Sequence, residues 1–315
     1  MSTTLAADIL DGDVRSASRL MRWLDDGRPE ARAELDALYP HTGNAYFIGI
    51  TGHPGSGKST LVDAFIRLCR QRDLTVACIA VDPSSPFSGG AILGDRVRMN
   101  RHALDDGVFI RSVATRGNLG GLSRSTPASV QVMDAMGFDI VLIETVGVGQ
   151  DEIDIVRLAD TNVVVMVPGL GDDIQATKAG VMEIADIFAV NKADLDGADR
   201  VVREIKTMLS MNESSDDEDA WIPSVLKTVA TQQEGLEPLF EAVEAHRDWL
   251  QAHRSDRDRD RQRIEQLVRL VISGEFDARI GRLLGTDTWK NHLEAVLDRT
   301  ETPYEAADAL FDEIF

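Results

Sequence analysis

Short apolar runs alternate with stretches of helical periodicity through the middle of this chain of 315 residues. Each run is rich in Val, Ile and Leu and is bounded by polar or glycine-containing segments, as expected of strands buried on both faces. Alternating strands and helices are typical of an α/β domain with a mostly parallel central sheet flanked by helices. We predict strands at residues 46–51, 76–81, 108–111, 140–143, 163–167, 187–190 and 224–228.

Both ends of the chain show helical patterns without intervening strands. The first 45 residues predict three short helices, the last with Pro29 at its first position, where proline is well tolerated. Near the other end, Asp and Arg alternate before an apolar stripe that is typical of a helix packing on the domain or on another subunit. The stripe consists of Ile264, Leu267, Val268 and Val271. We therefore expect an N-terminal helical segment (1–45), an α/β domain (46–250) and a C-terminal helical extension (251–315).

The chain is strongly acidic, with 33 basic and 53 acidic residues and a formal net charge of -20. This charge opposes binding to nucleic acid and to anionic membrane surfaces, so we expect neither as a partner. The two cysteines, Cys69 and Cys78, lie in apolar runs and provide neither a disulfide framework nor a Cys-x-x-Cys metal site. No stretch approaches eighteen apolar residues, and no basic region precedes an apolar run at the N-terminus. We expect a soluble, cytoplasmic protein.

The segment after the first predicted strand matches the phosphate-binding loop pattern, in which two glycines precede Lys and Ser or Thr. Gly55 and Gly57 lack a Cβ, so the backbone there can turn its N–H groups onto an anion. Lys58 would place a positive charge on the β- and γ-phosphates, and Ser59 would place a hydroxyl on Mg²⁺. The predicted nucleotide-binding residues of this loop are Gly52, His53, Pro54, Gly55, Ser56, Gly57, Lys58, Ser59 and Thr60.

Acidic residues follow two predicted strands, at Asp82 and Glu144. A carboxylate at Asp82 can approach Mg²⁺ or an attacking water, although an Asp that merely begins a turn has the same pattern. In nucleotide-hydrolysing P-loop proteins the second such acid holds the Mg²⁺ shell, and a later glycine, here Gly147, offers its N–H to the γ-phosphate. The acid is Glu where Asp is usual, so both direct and water-mediated contact with the metal stay open.

The strand at 187–190 is followed by Asn191, Lys192 and Asp194, which suit recognition of guanine. A side-chain amide and a carboxylate complement the acceptor and donor edges of guanine, while the lysine stem can lie over the ring. A carboxylate on the donor edge rejects adenine, because buried polar groups would be left unpaired. Val229, Ala230 and Thr231 follow the last strand, where GTP-binding proteins often place a Ser-Ala pair. Backbone contacts survive the Val for Ser exchange at 229, whereas a hydroxyl contact does not.

Several strings of this sequence together resemble the MeaB/ArgK family of P-loop GTPases, over nearly the whole chain. The strings are Gly-His-Pro-Gly-Ser-Gly-Lys-Ser-Thr (52–60), Val-Asp-Pro-Ser-Ser (81–85), Leu-Gly-Asp-Arg (93–96), Glu-Thr-Val-Gly-Val-Gly-Gln (144–150), Met-Glu-Ile-Ala-Asp (182–186) and Asn-Lys-Ala-Asp (191–194). The strings at 81–85 and 144–150 are the specific ones, since many GTPases share the phosphate loop and Asn-Lys-x-Asp.

The resemblance implies a GTP-hydrolysing chaperone that gates cofactor loading and protection of an adenosylcobalamin-dependent acyl-CoA mutase, chiefly methylmalonyl-CoA mutase. It implies GTP or GDP as ligand, Mg²⁺ as cofactor and a homodimer formed through the C-terminal extension. By position, the resemblance implies that Lys58 contacts the phosphates and that Mg²⁺ is held by Ser59, Asp82 and Glu144. It also implies three switch segments whose conformation depends on the nucleotide. The first contains Asp95, the second runs from Gly147 to Gln150, and the third runs from Asp172 to Lys178 and touches the mutase. The long acidic stretch at 212–220 departs from the family pattern.

The expected reaction is attack of water on the γ-phosphate, with Asp82 or Asp95 positioning the water. We identify no residue that must act as an arginine finger, so turnover should be slow alone and rise with the partner. One alternative is a nickel-type metallochaperone GTPase, which would require His-rich or Cys-containing metal motifs. Others are an ATP-dependent kinase of a transport protein, opposed by Asn191 and Asp194, and a nucleotide-binding scaffold without hydrolysis.

Overall fold

The computed structural model describes residues 4–82, 102, 104–114, 125–145, 158–169, 184–212, 220–253 and 256–314. Strands in this part of the chain form one sheet in the order β3-β2-β4-β1-β5-β6-β7. They are β1 (Tyr46–Gly52), β2 (Val76–Asp82), β3 (Val108–Ala114), β4 (Ile140–Glu144), β5 (Thr161–Met166), β6 (Ile187–Val190) and β7 (Ser224–Lys227). Every neighbouring pair is parallel, which confirms the predicted fold class.

Six of the seven described strands differ from their predicted bounds, four of them by one residue, and β3 and β5 differ most because pairing continues past the apolar run. Strand β3 extends to Ala114, three residues beyond the prediction, since it pairs with β2 from Val76↔Val108 to Asp82↔Ala114. Strand β5 begins at the polar residue Thr161, which pairs with Ile48 of β1. Backbone pairing therefore includes polar positions that the hydrophobic pattern alone assigns to loops.

Helices cover the sheet and form both ends of the chain. The helices of the described residues are α1 (Leu5–Leu10), α2 (Val14–Asp25), α3 (Glu30–Leu38), α4 (Lys58–Gln71), α5 (Ser125–Ala135), α6 (Ala198–Asn212), α7 (Leu236–His253), α8 (Asp256–Leu283), α9 (Asp287–Leu297) and α10 (Pro303–Ile314). Helix α3 begins one residue later than predicted, with Pro29 as its N-cap residue. Among the described helices, none combines the length and the apolar character needed to cross a membrane.

One face of the sheet packs against α4 and α7. Ile48 of β1, Leu61 and Phe65 of α4, and Phe240 of α7 are all buried in the same apolar cluster, and the Phe65 and Phe240 rings lie 5.8 Å apart. Burying a side chain of this size contributes about 1.5–3 kcal/mol. The helix that follows the phosphate loop is therefore held firmly on the sheet. Cys69 lies in the same cluster, and burial raises the pKa of its thiol to about 12.

The opposite face carries α5, over which the N-terminal helices α1 to α3 pack. The Asp134 carboxylate of α5 accepts three successive backbone N–H groups, from Gly43 at 2.6 Å and from Asn44 and Ala45 at 3.0 Å each. Arg111 of β3 also pairs with Asp25 of α2 at 2.7 Å. The N-terminal segment is thus fixed to the sheet domain by both apolar and charged contacts.

The chain divides into two compact units, residues 1–267 and residues 268–315. In the second unit, Phe276 and Phe311 lie 6.1 Å apart, while Tyr304 is 84% exposed. In the predicted apolar stripe, Ile264, Val268 and Val271 are more than a third exposed. The segment boundaries expected from the sequence, including the one at 250/251, stay a prediction.

Candidate nucleotide-binding site

The loop between β1 and α4 depends on glycines at positions where a side chain cannot fit. Gly52 has φ of 142°, and a Cβ there would lie 2.3 Å from the carbonyl oxygen of Val165. Gly57 has φ of 88°, and a Cβ there would lie 2.5 Å from Nδ2 of Asn191. The loop backbone therefore follows a left-handed path close to the ends of β5 and β6.

Lys58, the first residue of α4, is buried inside this loop. Its Nζ donates to the carbonyl oxygens of Gly52 at 2.6 Å and His53 at 3.2 Å. These contacts hold the ammonium group at the N-terminus of α4, where the helix dipole also favours an anion. The imidazole of His53 is tied to the loop as well, with Nδ1 2.8 Å from the carbonyl oxygen of Pro54. The arrangement suits a phosphate group.

Ser59 and Glu144 lie together beside the loop. The hydroxyl of Ser59 donates to Oε1 of Glu144 at 2.6 Å, and Glu144 is 5% exposed. A hydroxyl and a carboxylate are oxygen ligands of the kind that Mg²⁺ takes, so the pair fits this ion. Asp82 ends the neighbouring strand β2, which pairs with β4 through Ala80↔Glu144. The backbone of Asp82 is therefore on the same edge, whereas its side chain is outside the described residues.

Asn191 and Lys192, directly after β6, contact the phosphate loop. The side-chain amide of Asn191 donates to the carbonyl oxygen of Ser56 at 2.9 Å. Nζ of Lys192 donates to the carbonyl oxygen of Gly55 at 2.8 Å, and the lysine backbone has φ of 54°. The two predicted recognition segments consequently lie side by side at one edge of the sheet, as a single nucleotide requires. Asp194 is exposed next to them.

The third predicted segment, which follows β7, contacts the side-chain oxygen of Asn191. Oδ1 of Asn191 accepts the backbone N–H of Ala230 at 3.2 Å and the hydroxyl of Thr228 at 3.3 Å. Val229 and Ala230 are buried, and Thr231 is exposed in a short 3-10 turn.

Two residues that flank this third segment were not predicted as part of the site. Thr228 was not predicted as a site residue, because it precedes the two positions that the Ser-Ala pattern covers. Gly235 was also missed: it has φ of 73°, and a Cβ there would lie 2.0 Å from the carbonyl oxygen of Lys227. A glycine before an amphipathic helix was the available signal.

The proposed switch and partner residues Asp95, Gly147, Gln150, Asp172 and Lys178 fall outside the described residues. Thr60 is half-buried in the first turn of α4.

Comparisons with known proteins identify relatives of this chain. The family model described as methylmalonyl Co-A mutase-associated GTPase MeaB matches residues 18–281. The chain is 46% identical over 303 residues to a putative GTPase of Pyrococcus abyssi, covering 96% of this chain and 94% of that relative. It is 40% identical over 239 residues to GTPase ArgK of Escherichia coli, covering 74% and 72%. Among solved structures, it is similar to a LAO/AO transport system kinase, with TM-score 0.69, 27% identity and coverage of 98% and 96%.

Proposed function

The chain belongs to the methylmalonyl-CoA mutase-associated GTPases, and from this premise we propose that it is a GTP-hydrolysing chaperone of an adenosylcobalamin-dependent acyl-CoA mutase. In this proposal, whether the protein holds GTP or GDP controls two things: the loading of the cofactor into the mutase and the protection of the mutase. Methylmalonyl-CoA mutase is the first candidate because the family description names it. The proposal that the chain binds GTP rests on the hydrogen bond of 2.9 Å between the Asn191 amide and the carbonyl oxygen of Ser56. This bond joins the segment proposed to recognise guanine to the phosphate loop.

The triphosphate would bind in the loop, where Lys58 supplies the positive charge. Its ammonium is already held by two carbonyl oxygens, so little rearrangement is needed when the β- and γ-phosphates arrive. Mg²⁺ would be held by Ser59, Glu144 and Asp82. When bound, the ion would neutralise part of the negative charge that develops on the phosphates during hydrolysis.

The guanine base would lie against Asn191 and Lys192, with Asp194 accepting the N–H groups of the donor edge. The exposure of Asp194 leaves its carboxylate accessible to a base. Adenine offers no matching donors at this edge, so binding of ATP would leave polar groups unpaired.

Hydrolysis requires a water in line with the γ-phosphate, and Asp82 or Asp95 would position it. The sequence contains no residue whose motif requires it to act as an arginine finger. An arginine supplied to such sites contributes roughly 10³–10⁵ in rate. We therefore propose that hydrolysis is slow in the isolated protein and accelerates in complex with the mutase.

The proposal also includes two protein partners, a second copy of this chain and the mutase. The homodimer would form through the C-terminal extension. Apolar side chains stand exposed there, among them Ile272 at 62%, Leu297 at 67% and Tyr304 at 84%. The segment from Asp172 to Lys178 is proposed to contact the mutase.

Phosphate release and co-purification together test this function. GTP hydrolysis should occur in the unaltered protein and be abolished in Lys58→Ala, and a candidate mutase should co-purify in GDP or in a non-hydrolysable GTP analogue. Hydrolysis should be faster with the mutase present. Hydrolysis by Lys58→Ala at the normal rate would overturn the enzyme assignment. Failure of every candidate mutase to associate in both nucleotide states would overturn the chaperone assignment alone.

A further inference from the structure

A pair of buried threonine hydroxyls lies where β1 and β4 end. Thr51 precedes the last residue of β1, and Thr145 directly follows the last residue of β4. The Thr145 hydroxyl donates to Oγ1 of Thr51 at 2.8 Å, and both residues are 1% exposed. The backbone N–H of Thr145 also donates to the carbonyl oxygen of Ile50 at 3.1 Å. Thr145 is therefore bound to β1 through both its backbone and its side chain.

Glu144 and Thr145 are held from opposite faces of the sheet, because successive side chains of a strand point to opposite sides. Leu142 lies in the apolar cluster with α4, and Glu144, two residues later, accepts the Ser59 hydroxyl of that helix at 2.6 Å. Thr145, one residue further, faces away from α4, where its hydroxyl meets Thr51. The end of β4 is consequently fixed by one side-chain contact on each face.

These contacts close a ring around the candidate metal site. The ring consists of three pairs of adjacent residues, and each pair contacts the next through a hydrogen bond. The pairs are Thr51 and Gly52, Lys58 and Ser59, and Glu144 and Thr145. Two of the three hydrogen bonds are donated by Lys58 and Ser59, which are proposed to contact the phosphates and Mg²⁺ themselves. The third joins two threonines that have no assigned contact with either ligand.

We propose that Thr51 and Thr145 are positioning residues for the proposed Mg²⁺ site. Their hydrogen bond fixes the end of β4 at the point where Glu144 meets Ser59. Mg²⁺ demands near-ideal geometry from its oxygen ligands, so a small shift of the Glu144 carboxylate relative to Ser59 would weaken binding of the ion. The inference rests on the proposed function, since it concerns the metal of that site.

Binding of a fluorescent, non-hydrolysable GTP analogue, measured with Mg²⁺ and with EDTA, tests the inference on the whole chain. Thr145→Val removes the donor at nearly constant volume, whereas Thr145→Ser keeps the hydroxyl. Thr161→Val is the matched control, because it removes another buried hydroxyl of the same sheet, 2.8 Å from Nδ1 of His246. Thr161 pairs with Ile48, three residues before Thr51 on β1. Mg²⁺ dependence of GTP hydrolysis is a second readout, and thermal unfolding checks folding.

In Thr145→Val, the Kd of the analogue with Mg²⁺ should rise about tenfold, the lower end of the roughly 10–100-fold effect of groups that orient a metal ligand. The lower end is expected because β4 still pairs with β1 and β2. The Kd in EDTA should be unchanged, since Lys58 and Asn191 hold the phosphate loop through other contacts. The Mg²⁺ concentration for half-maximal hydrolysis should rise by the same factor as the Kd with Mg²⁺.

Thr145→Ser should recover most of the Mg²⁺ effect, and Thr161→Val should leave it unchanged. If Thr145→Val does not fold, Thr51→Val removes the acceptor and should show the same selective loss. Three results would overturn the inference: an unchanged Mg²⁺ effect in the folded valine variant, an equal loss in Thr161→Val, or no recovery in Thr145→Ser.

The measurement in EDTA separates the metal site from the phosphate loop. A Kd that rises as much in EDTA as with Mg²⁺ would overturn the inference, because the hydroxyls would then act on the loop rather than on Glu144. A different failure is an unaltered protein whose binding of the analogue is not tightened by Mg²⁺. That result would overturn the Mg²⁺ part of the proposed function together with this inference.

Discussion

Asn191 connects three segments of the candidate site through one side chain. Its amide N–H donates to the phosphate loop at Ser56, while its oxygen accepts from Thr228 and Ala230. The side chain is 2% exposed, so each of these hydrogen bonds replaces one that water would otherwise make. The donors from Thr228 and Ala230 fix which way round the amide lies. Asn191 thus holds the phosphate loop against the segment that follows β7.

Replacing Thr228 with Val tests the hydroxyl contact at nearly constant volume. The Oδ1 atom of Asn191 would lose one of two donors, and a hydrogen bond of this kind contributes about 0.5–1.5 kcal/mol. We expect the Kd for GDP to rise about two- to tenfold, measured by titration with a fluorescent GDP analogue.

Thr207→Val is the control for this measurement, because the Thr207 hydroxyl donates to the carbonyl oxygen of Arg203 on the exposed side of α6, away from the phosphate loop. It should leave the Kd unchanged. Equal affinities for the unaltered protein and Thr228→Val would show that Ala230 alone orients the amide.

At the scale of elements, the sequence predicts the strands and helices well wherever apolar runs are continuous. Strand β6 was predicted with its observed bounds because all four of its residues are apolar and buried. The start of β5 was missed, since Thr161 is polar and its burial depends on hydrogen bonds to Tyr46 and His246, which lie far away in sequence. Periodicity cannot reveal such partners.

In the candidate site too, residues in contiguous motifs could be predicted from the sequence, whereas contacts between distant loops could not. Lys58, Asn191 and Asp194 could be predicted because their motifs are contiguous. Thr228 and the contact of Asn191 with Ser56 arise only when separate loops meet at the sheet edge, so no local pattern contains them.

The N-terminal segment offers a prediction at this scale. Asp134→Asn removes the charge that accepts the N–H groups of Gly43, Asn44 and Ala45. Hydrogen bonds to a charged group each contribute about 1.5–3 kcal/mol, so we expect the free energy of unfolding to fall by about 2–3 kcal/mol. Urea denaturation measures this change.

Asp36→Asn serves as the comparison, since Asp36 forms an exposed i,i+4 pair with Arg32. Such a surface pair contributes about 0–1 kcal/mol. If Asp134→Asn cost no more than Asp36→Asn, the carboxylate would not be what fixes the N-terminal segment.

At the scale of the whole molecule, an acidic protein of net charge -20 must bind an anionic ligand. Long-range attraction cannot help, so local features have to attract the phosphates. The buried Lys58, the N-terminus of α4 and Lys192 are all placed at one sheet edge. The strand order makes this possible, because β4, β1, β5 and β6 are consecutive neighbours although β4 follows β1 by nearly ninety residues. One ligand can then reach loops from distant parts of the sequence.

Base selectivity is the most direct test of this single-ligand account. Competition of GDP, ADP and XDP against a fluorescent GDP analogue is measured for the unaltered protein and for Asp194→Asn. We expect GDP to bind more tightly than ADP by up to about 10⁴-fold, because only guanine offers donors to the carboxylate. In Asp194→Asn, which offers an N–H donor, GDP should weaken and XDP should strengthen. Comparable binding of GDP and ADP, or an unchanged preference in Asp194→Asn, would contradict the account.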